Sequence, residues 1–128
     1  HVANAKVVAN YLHNHAKVSW VSYAGLEESK YFHLAKKYLP KGAGSVFTFG
    51  IKGGYDAGVK FVEKCQLLSH LANIGDTRSL VLHPASTTHR QLTETQRISA
   101  GAGDDVIRLS IGLETVEDII ADLEQALR

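Results

Sequence analysis

The chain is poor in several things that would have simplified its reading. It has one cysteine, Cys65, so no internal disulfide can form, which fits a reducing cytoplasm. No apolar run approaches the ~20 residues a membrane-crossing helix requires, and no signal-peptide pattern opens the chain. Neither sign of charge dominates: the formal net charge is +1, which gives no pull towards nucleic acid or anionic membrane. Repeats and low-complexity segments are also missing. The glycine turn at Lys52-Gly53-Gly54 lacks both the G-x-x-x-x-G-K-[ST] and the G-x-G-x-x-G patterns, so it reads as a tight turn rather than a phosphate cradle. Metal sites fare no better. His13 and His15 lie two apart and do not share a helix face, and read as solvent-exposed. Cys65 and His70 fall short of the ligand count zinc demands, and Cys65 reads as a core filler.

What is present is an alternation of amphipathic helices and short apolar strands. With 128 residues the chain makes one domain, 1–128, large enough for a real core. It opens on His rather than Met, with a helical pattern already running, and is expected to be a piece of something longer. Ala5, Val8, Tyr11, Leu12 and His15 share a face of a helix over 2–16. Residues 18–23 alternate as a strand. A helix over 28–39 carries Tyr31, Leu34, Ala35 and Tyr38 as its inner stripe and ends at Pro40 and Gly42. A strand over 44–51 leads into a helix over 56–70, with Asp56 as N-cap and Ala57, Phe61, Cys65 and Leu68 buried. Leu80–82 forms a strand into His83-Pro84, since proline holds the residue before it extended. Residues 91–99 are polar and helix-compatible, and 106–111 form a strand. Thr115 opens a last helix in a capping-box-like Thr-Val-Glu-Asp, with Val116, Ile119, Ile120, Leu123 and Leu127 inward. Helices with one apolar face each suit an α+β domain, helices covering a sheet.

Arg108 is the chemically informative residue. Val106, Ile107, Leu109 and Ile111 around it are apolar, so a guanidinium in this strand needs a partner or an opening. Its parallel N–H donors match a carboxylate two at a time. On residue type alone, the ordinary outcome is a solvated face or a pair with Asp104, Asp105 or Glu114, since charged side chains mostly sit exposed. His83 and His89 invite a general-base reading.

Four stretches carry a resemblance. These are ANIGDTRSLVLHPASTTH over 72–89, RLSIGLE over 108–114, and SYAGLE with KYLPKGAGSVFTFGIKGG upstream. Together they resemble the Cys/Met-metabolism family of pyridoxal-phosphate enzymes, over essentially the whole chain and nearest its O-acetylhomoserine sulfhydrylase branch. The resemblance implies the small C-terminal domain of a fold-type I transferase, with a mostly antiparallel sheet covered by helices. It makes Arg108 the ligand of the substrate α-carboxylate. Asn73 stands where the family has a serine near that carboxylate, Ile74 offers a backbone N–H, and Thr88 supports the arginine. Ala72 replaces a glutamate of the cystathionine-handling branches, a loss harmless if the second substrate is sulfide.

The family's Schiff-base lysine and coenzyme contacts belong to an N-terminal domain, and Lys52 and Lys60 sit in no matching motif. The implied full-length enzyme is cytoplasmic, binds pyridoxal 5'-phosphate and no metal, and assembles as a homo-oligomer, typically a tetramer. Its γ-replacement converts O-acetyl-L-homoserine and sulfide to L-homocysteine in methionine biosynthesis. The chain alone is expected to be inactive and not to bind the coenzyme. An O-succinylhomoserine sulfhydrylase, a cystathionine γ-synthase, a γ-lyase and a non-catalytic interaction module remain the alternatives.

Overall fold

A computed structural model describes residues 1–71, 73 and 75–128. Five strands, β1 (Val18–Ser22), β2 (Val46–Ile51), β3 (Ser69–His70), β4 (Leu80–Leu82) and β5 (Val106–Ser110), form one sheet in the order β1-β2-β5-β4-β3. All neighbours run antiparallel except the β3–β4 pair at its edge. The α+β expectation of a mostly antiparallel sheet under helices is therefore met.

Period-two alternation divides the sheet into two unlike faces. Phe47, Phe49, Val81, Ile107 and Leu109 are 3% exposed or less and point to the helix side. There they meet Ala5, Val8, Ala9 and Leu12 of α1 (Val2–His13), Phe61 and Val62 of α3 (Gly54–Lys64), and Ile119 and Leu123 of α5 (Val116–Leu127). Phe49 and Phe61 meet edge to face, with ring centroids 5.6 Å apart, a geometry that aromatic quadrupoles favour. The opposite face carries Thr48, Arg108, Ser110, Leu80 and Leu82, whose register pairs Thr48 and Leu82 on either side of Arg108.

One buried charge ties the helix layer together. Asp122 of α5 accepts backbone N–H bonds from Gln66 (2.8 Å), Leu67 (2.8 Å) and Leu68 (3.0 Å), the residues that leave α3 for β3. Burial pushes its carboxyl up. The N–H groups of Gln66 and Leu68, the Gln125 amide and the Leu67 N–H outweigh burial and hold it below the usual carboxylate range. Hydrophobic periodicity gave no sign of this residue, because it occupies a position within the inward stripe of α5.

Several local expectations are corrected. The helix expected over 28–39 is shorter, α2 (Phe32–Tyr38), and Tyr31, Leu34 and Tyr38 are exposed; Phe32 and Ala35 are the half-buried side. Its apolar residues spread over one broad arc, so spacing alone could not choose which part of that arc is covered. Asp56 does not cap α3, which begins two residues earlier behind Gly53; the φ of +105° at Gly53 is one that residues with a Cβ rarely adopt. Thr115 precedes α5 without a side-chain capping bond. The reciprocal box forms instead at α4 (Glu94–Ser99), between Thr93 and Gln96. His15 is not simply exposed: its Nε2 lies 3.0 Å from Glu124 Oε2, in a cluster with the Tyr11 hydroxyl that joins α1 to α5. Cys65 is half-buried at the end of α3, at the edge of the core rather than inside it.

Candidate functional site

Arg108 sits in the middle of β5 on the face turned away from the helices, and it is half-buried. Each acid that could have neutralised it is engaged elsewhere. Asp104 Oδ1 accepts from Arg97 Nη2 (3.2 Å). Asp105 Oδ2 accepts from the indole Nε1 of Trp20 (3.1 Å). Glu114 takes the backbone N–H and the hydroxyl of Ser79 on its two oxygens, at 2.7 and 2.8 Å. Among the described residues Arg108 forms no ion pair. A half-buried guanidinium without a counter-charge in a strand of apolar neighbours is a site that favours an incoming anion.

A shallow depression at this position is lined by Leu71, Asn73, Leu80, Leu82, Arg108 and Ser110. The fold thus brings Asn73 to Arg108, although they are far apart in sequence. Asn73 is exposed, and its side chain bonds Asp76. Asp76 also takes the backbone N–H and the Nε and Nη2 of Arg78 at 2.9–3.2 Å. The Arg78 bonds, with the smaller contribution of Asn73, hold the Asp76 carboxyl down at about 2. Ile74 and Ala72 lie outside the described residues. Thr88 is exposed and does not line the depression; its hydroxyl lies 2.8 Å from Nδ1 of His89.

Two features that sequence reasoning passed over fix the position of β5 relative to the 75–80 segment. The first is Glu114, whose grip on Ser79 is extended by Ser79 Oγ accepting the Gly112 N–H (2.9 Å). Asn4 of α1 adds bonds to the carbonyls of Gly112 (3.1 Å) and Glu114 (2.8 Å). The second is Gly112 itself. A Cβ there would lie 2.5 Å from Arg78 C and 2.7 Å from Ser79 N, and closer still to the Thr77 carbonyl oxygen. Glycine is required by this close approach of backbone to backbone. A serine at the head of an apolar strand and a glutamate just past another were the available signals, but only the fold pairs them.

His83 is 1% exposed and closes a turn. Its Nε2 lies 2.7 Å from the Asp104 carbonyl and its Nδ1 2.8 Å from Ser86 Oγ, with the Tyr55 ring edge-on at 5.1 Å. With Nε2–H donating to the carbonyl, Nδ1 accepts from the serine, so both nitrogens are used and neither is open to a substrate. Among the described residues no group of three or more His, Cys, Asp or Glu could hold a metal, and no helix is long and apolar enough to cross a membrane.

The family model described as Cys/Met metabolism PLP-dependent enzyme matches residues 1–128. A homocysteine synthase of Schizosaccharomyces pombe is 54% identical over 127 residues, which is 99% of this chain and 30% of the relative. An O-acetyl-L-homoserine sulfhydrylase of Leptospira meyeri is 50% identical over 129 residues, covering all of this chain and 29% of that protein. Among solved structures, a Campylobacter jejuni protein assigned as an O-acetylhomoserine (thiol)-lyase, containing a pyridoxyl-lysine phosphate, superposes with a TM-score of 0.90. That match is 43% identical and covers 98% of this chain and 30% of the other. The chain therefore spans a little under a third of the length of these relatives. Its own residues suit a carboxylate better than a coenzyme: no lysine and no aromatic ring lines the depression, while Lys52 and Lys60 are exposed elsewhere.

Proposed function

We propose that this chain, which belongs to the Cys/Met metabolism PLP-dependent enzyme family, is the C-terminal, substrate-binding domain of an O-acetylhomoserine sulfhydrylase. The parent enzyme makes L-homocysteine from O-acetyl-L-homoserine and sulfide by γ-replacement, in methionine biosynthesis. It is a cytoplasmic homo-oligomer, a tetramer, and an N-terminal domain completes its active site. The coenzyme bound in that domain supplies the electron sink for the chemistry at the amino acid. Among the described residues no lysine and no aromatic ring lines the depression to hold that group, and the chain alone is inactive.

The observation that carries this reading is Arg108, half-buried and without an ion pair among the described residues, while Asp104, Asp105 and Glu114 are all engaged by other partners. In this role its fork takes the two oxygens of the substrate α-carboxylate and fixes the orientation of the amino acid. Asn73, on the rim of the same depression, offers a side-chain amide to the same group. Glu114, Gly112 and Ser79 hold β5 and the segment before β4 together, so that the two ligands keep their spacing.

The test is Arg108→Ala in the full-length enzyme. Loss of a charge-assisted bidentate pair of about 3 kcal/mol lowers kcat/KM for O-acetylhomoserine roughly 100-fold. The coenzyme absorbance and the KM for sulfide stay as in the parent. Unchanged kinetics towards the amino acid, or loss of coenzyme in place of substrate affinity, would remove Arg108 from the substrate site.

A further inference from the structure

Two polar groups of the depression, Arg108 and Ser110, have no side-chain partner among the described residues. Ser110 is 4% exposed, and its Oγ has no hydrogen-bond partner among the described residues. Its cross-strand neighbours are Val46 on β2 and Leu80 on β4, which offer no polar side chain. Arg108 stands two residues before it on β5, so both side chains leave the same face of the sheet, and both line the same depression. A buried hydroxyl without a partner is uncommon in native proteins, because it loses its bonds to water and gains none. An apolar residue at this position would carry no such penalty.

The arginine has the complementary deficit. A guanidinium presents five N–H donors, and a carboxylate held by its fork engages two. The remaining donors of a half-buried arginine need acceptors on the protein side. We infer that Ser110 Oγ is that acceptor: it takes an N–H from the inner edge of Arg108 once the outer edge is loaded with the substrate carboxylate. Ser110 thereby fixes the plane of the fork. It is a positioning residue, acting on substrate through Arg108. The inference rests on the reading of Arg108 as the carboxylate ligand.

The test uses the full-length enzyme and a double-mutant cycle of Ser110→Ala and Arg108→Lys, with KM for O-acetylhomoserine, kcat and coenzyme absorbance as readouts. Ser110→Ala raises KM about 10-fold, the order expected for one hydrogen bond to a charged group, with kcat and the coenzyme spectrum retained. In the Arg108→Lys background the same change has little further effect, because a lysine presents no planar edge for the hydroxyl to fix. Ser110→Cys preserves the volume with a weak acceptor, and its KM falls between those of the parent and Ser110→Ala. It decides the matter should the alanine variant fold poorly.

A Ser110→Ala effect that is absent, or that adds in full to Arg108→Lys, overturns the positioning role while leaving Arg108 as the ligand. If Arg108→Lys itself leaves KM unchanged, the carboxylate reading fails, and this inference fails with it.

Discussion

Replacing Asp122 by alanine probes how strongly the helix layer depends on one buried carboxylate. The side chain accepts the backbone N–H groups of Gln66, Leu67 and Leu68, at 2.8–3.0 Å. A hydrogen bond to a charged group contributes about 1.5–3 kcal/mol, and these three share a single carboxylate, so their contributions do not simply add. The N–H groups of Gln66 and Leu67, which are exposed residues, can return to water, whereas Leu68 is 4% exposed and its N–H is left without an acceptor. The expected loss is therefore about 3–4 kcal/mol. For a chain of 128 residues, with an unfolding entropy of about 2.1 cal/mol/K per residue, that lowers Tm by roughly 10–15 °C.

The assay is thermal unfolding followed by circular dichroism at pH 7, with Asp122→Asn as the companion variant. Its pH dependence has a definite sign. The folded carboxyl lies below its ordinary value, so its stabilising contribution is complete above the unfolded value of about 3.9 and is lost as pH falls through the folded one. The gap between the parent and Asp122→Asn is accordingly wide at pH 7 and narrows in acid. A Tm within about 3 °C of the parent for the alanine variant, or a gap that widens towards pH 2, would refute the reasoning.

Two further outcomes test other parts of the structure. Burial, with the Asp122 carboxylate nearby, pushes the Cys65 thiol up to about 12; at pH 8 it carries roughly a thousandfold less thiolate than an ordinary cysteine. Disulfide exchange with an aromatic disulfide reagent is correspondingly slow in the folded chain and normal in denaturant, and equal rates in both states would contradict the burial argument. Gly112→Ala forces a Cβ into the backbone of Arg78 and Ser79, costing about 3 kcal/mol or more by overpacking. A denaturant midpoint indistinguishable from that of the parent would show that the 77–79 segment yields at no cost.

Much of this protein was decided along the chain. The order of helices and strands followed from apolar spacing at periods of 3.6 and 2, which is a local property, except that the helix expected over 56–70 ends at Lys64 and Ser69–His70 form β3 instead. So did the inward positions of Phe61, Ile119 and Leu123, since their identity depends only on neighbours a turn away. Arg108 was also legible, because a lone cation among Val106, Ile107, Leu109 and Ile111 is conspicuous in any strand.

What spacing could not supply was the partner of each polar group. Asp104, Asp105 and Glu114 were equal candidates for Arg108 in one dimension. They find Arg97, Trp20 and Ser79 only once β5 lies between β2 and β4. Asp122 shows the same limit: its acceptors are met by donors more than fifty residues away. The exposed part of α2 was undecidable for a related reason, as its apolar residues cover one broad arc and only the neighbouring elements choose which part of it is buried. Where an element has one narrow apolar stripe, burial follows from periodicity, which is encoded locally. Hydrogen-bond pairing and close backbone approach, as at Gly112, depend on which distant segments the sheet brings into register, and that is fixed only by the tertiary structure.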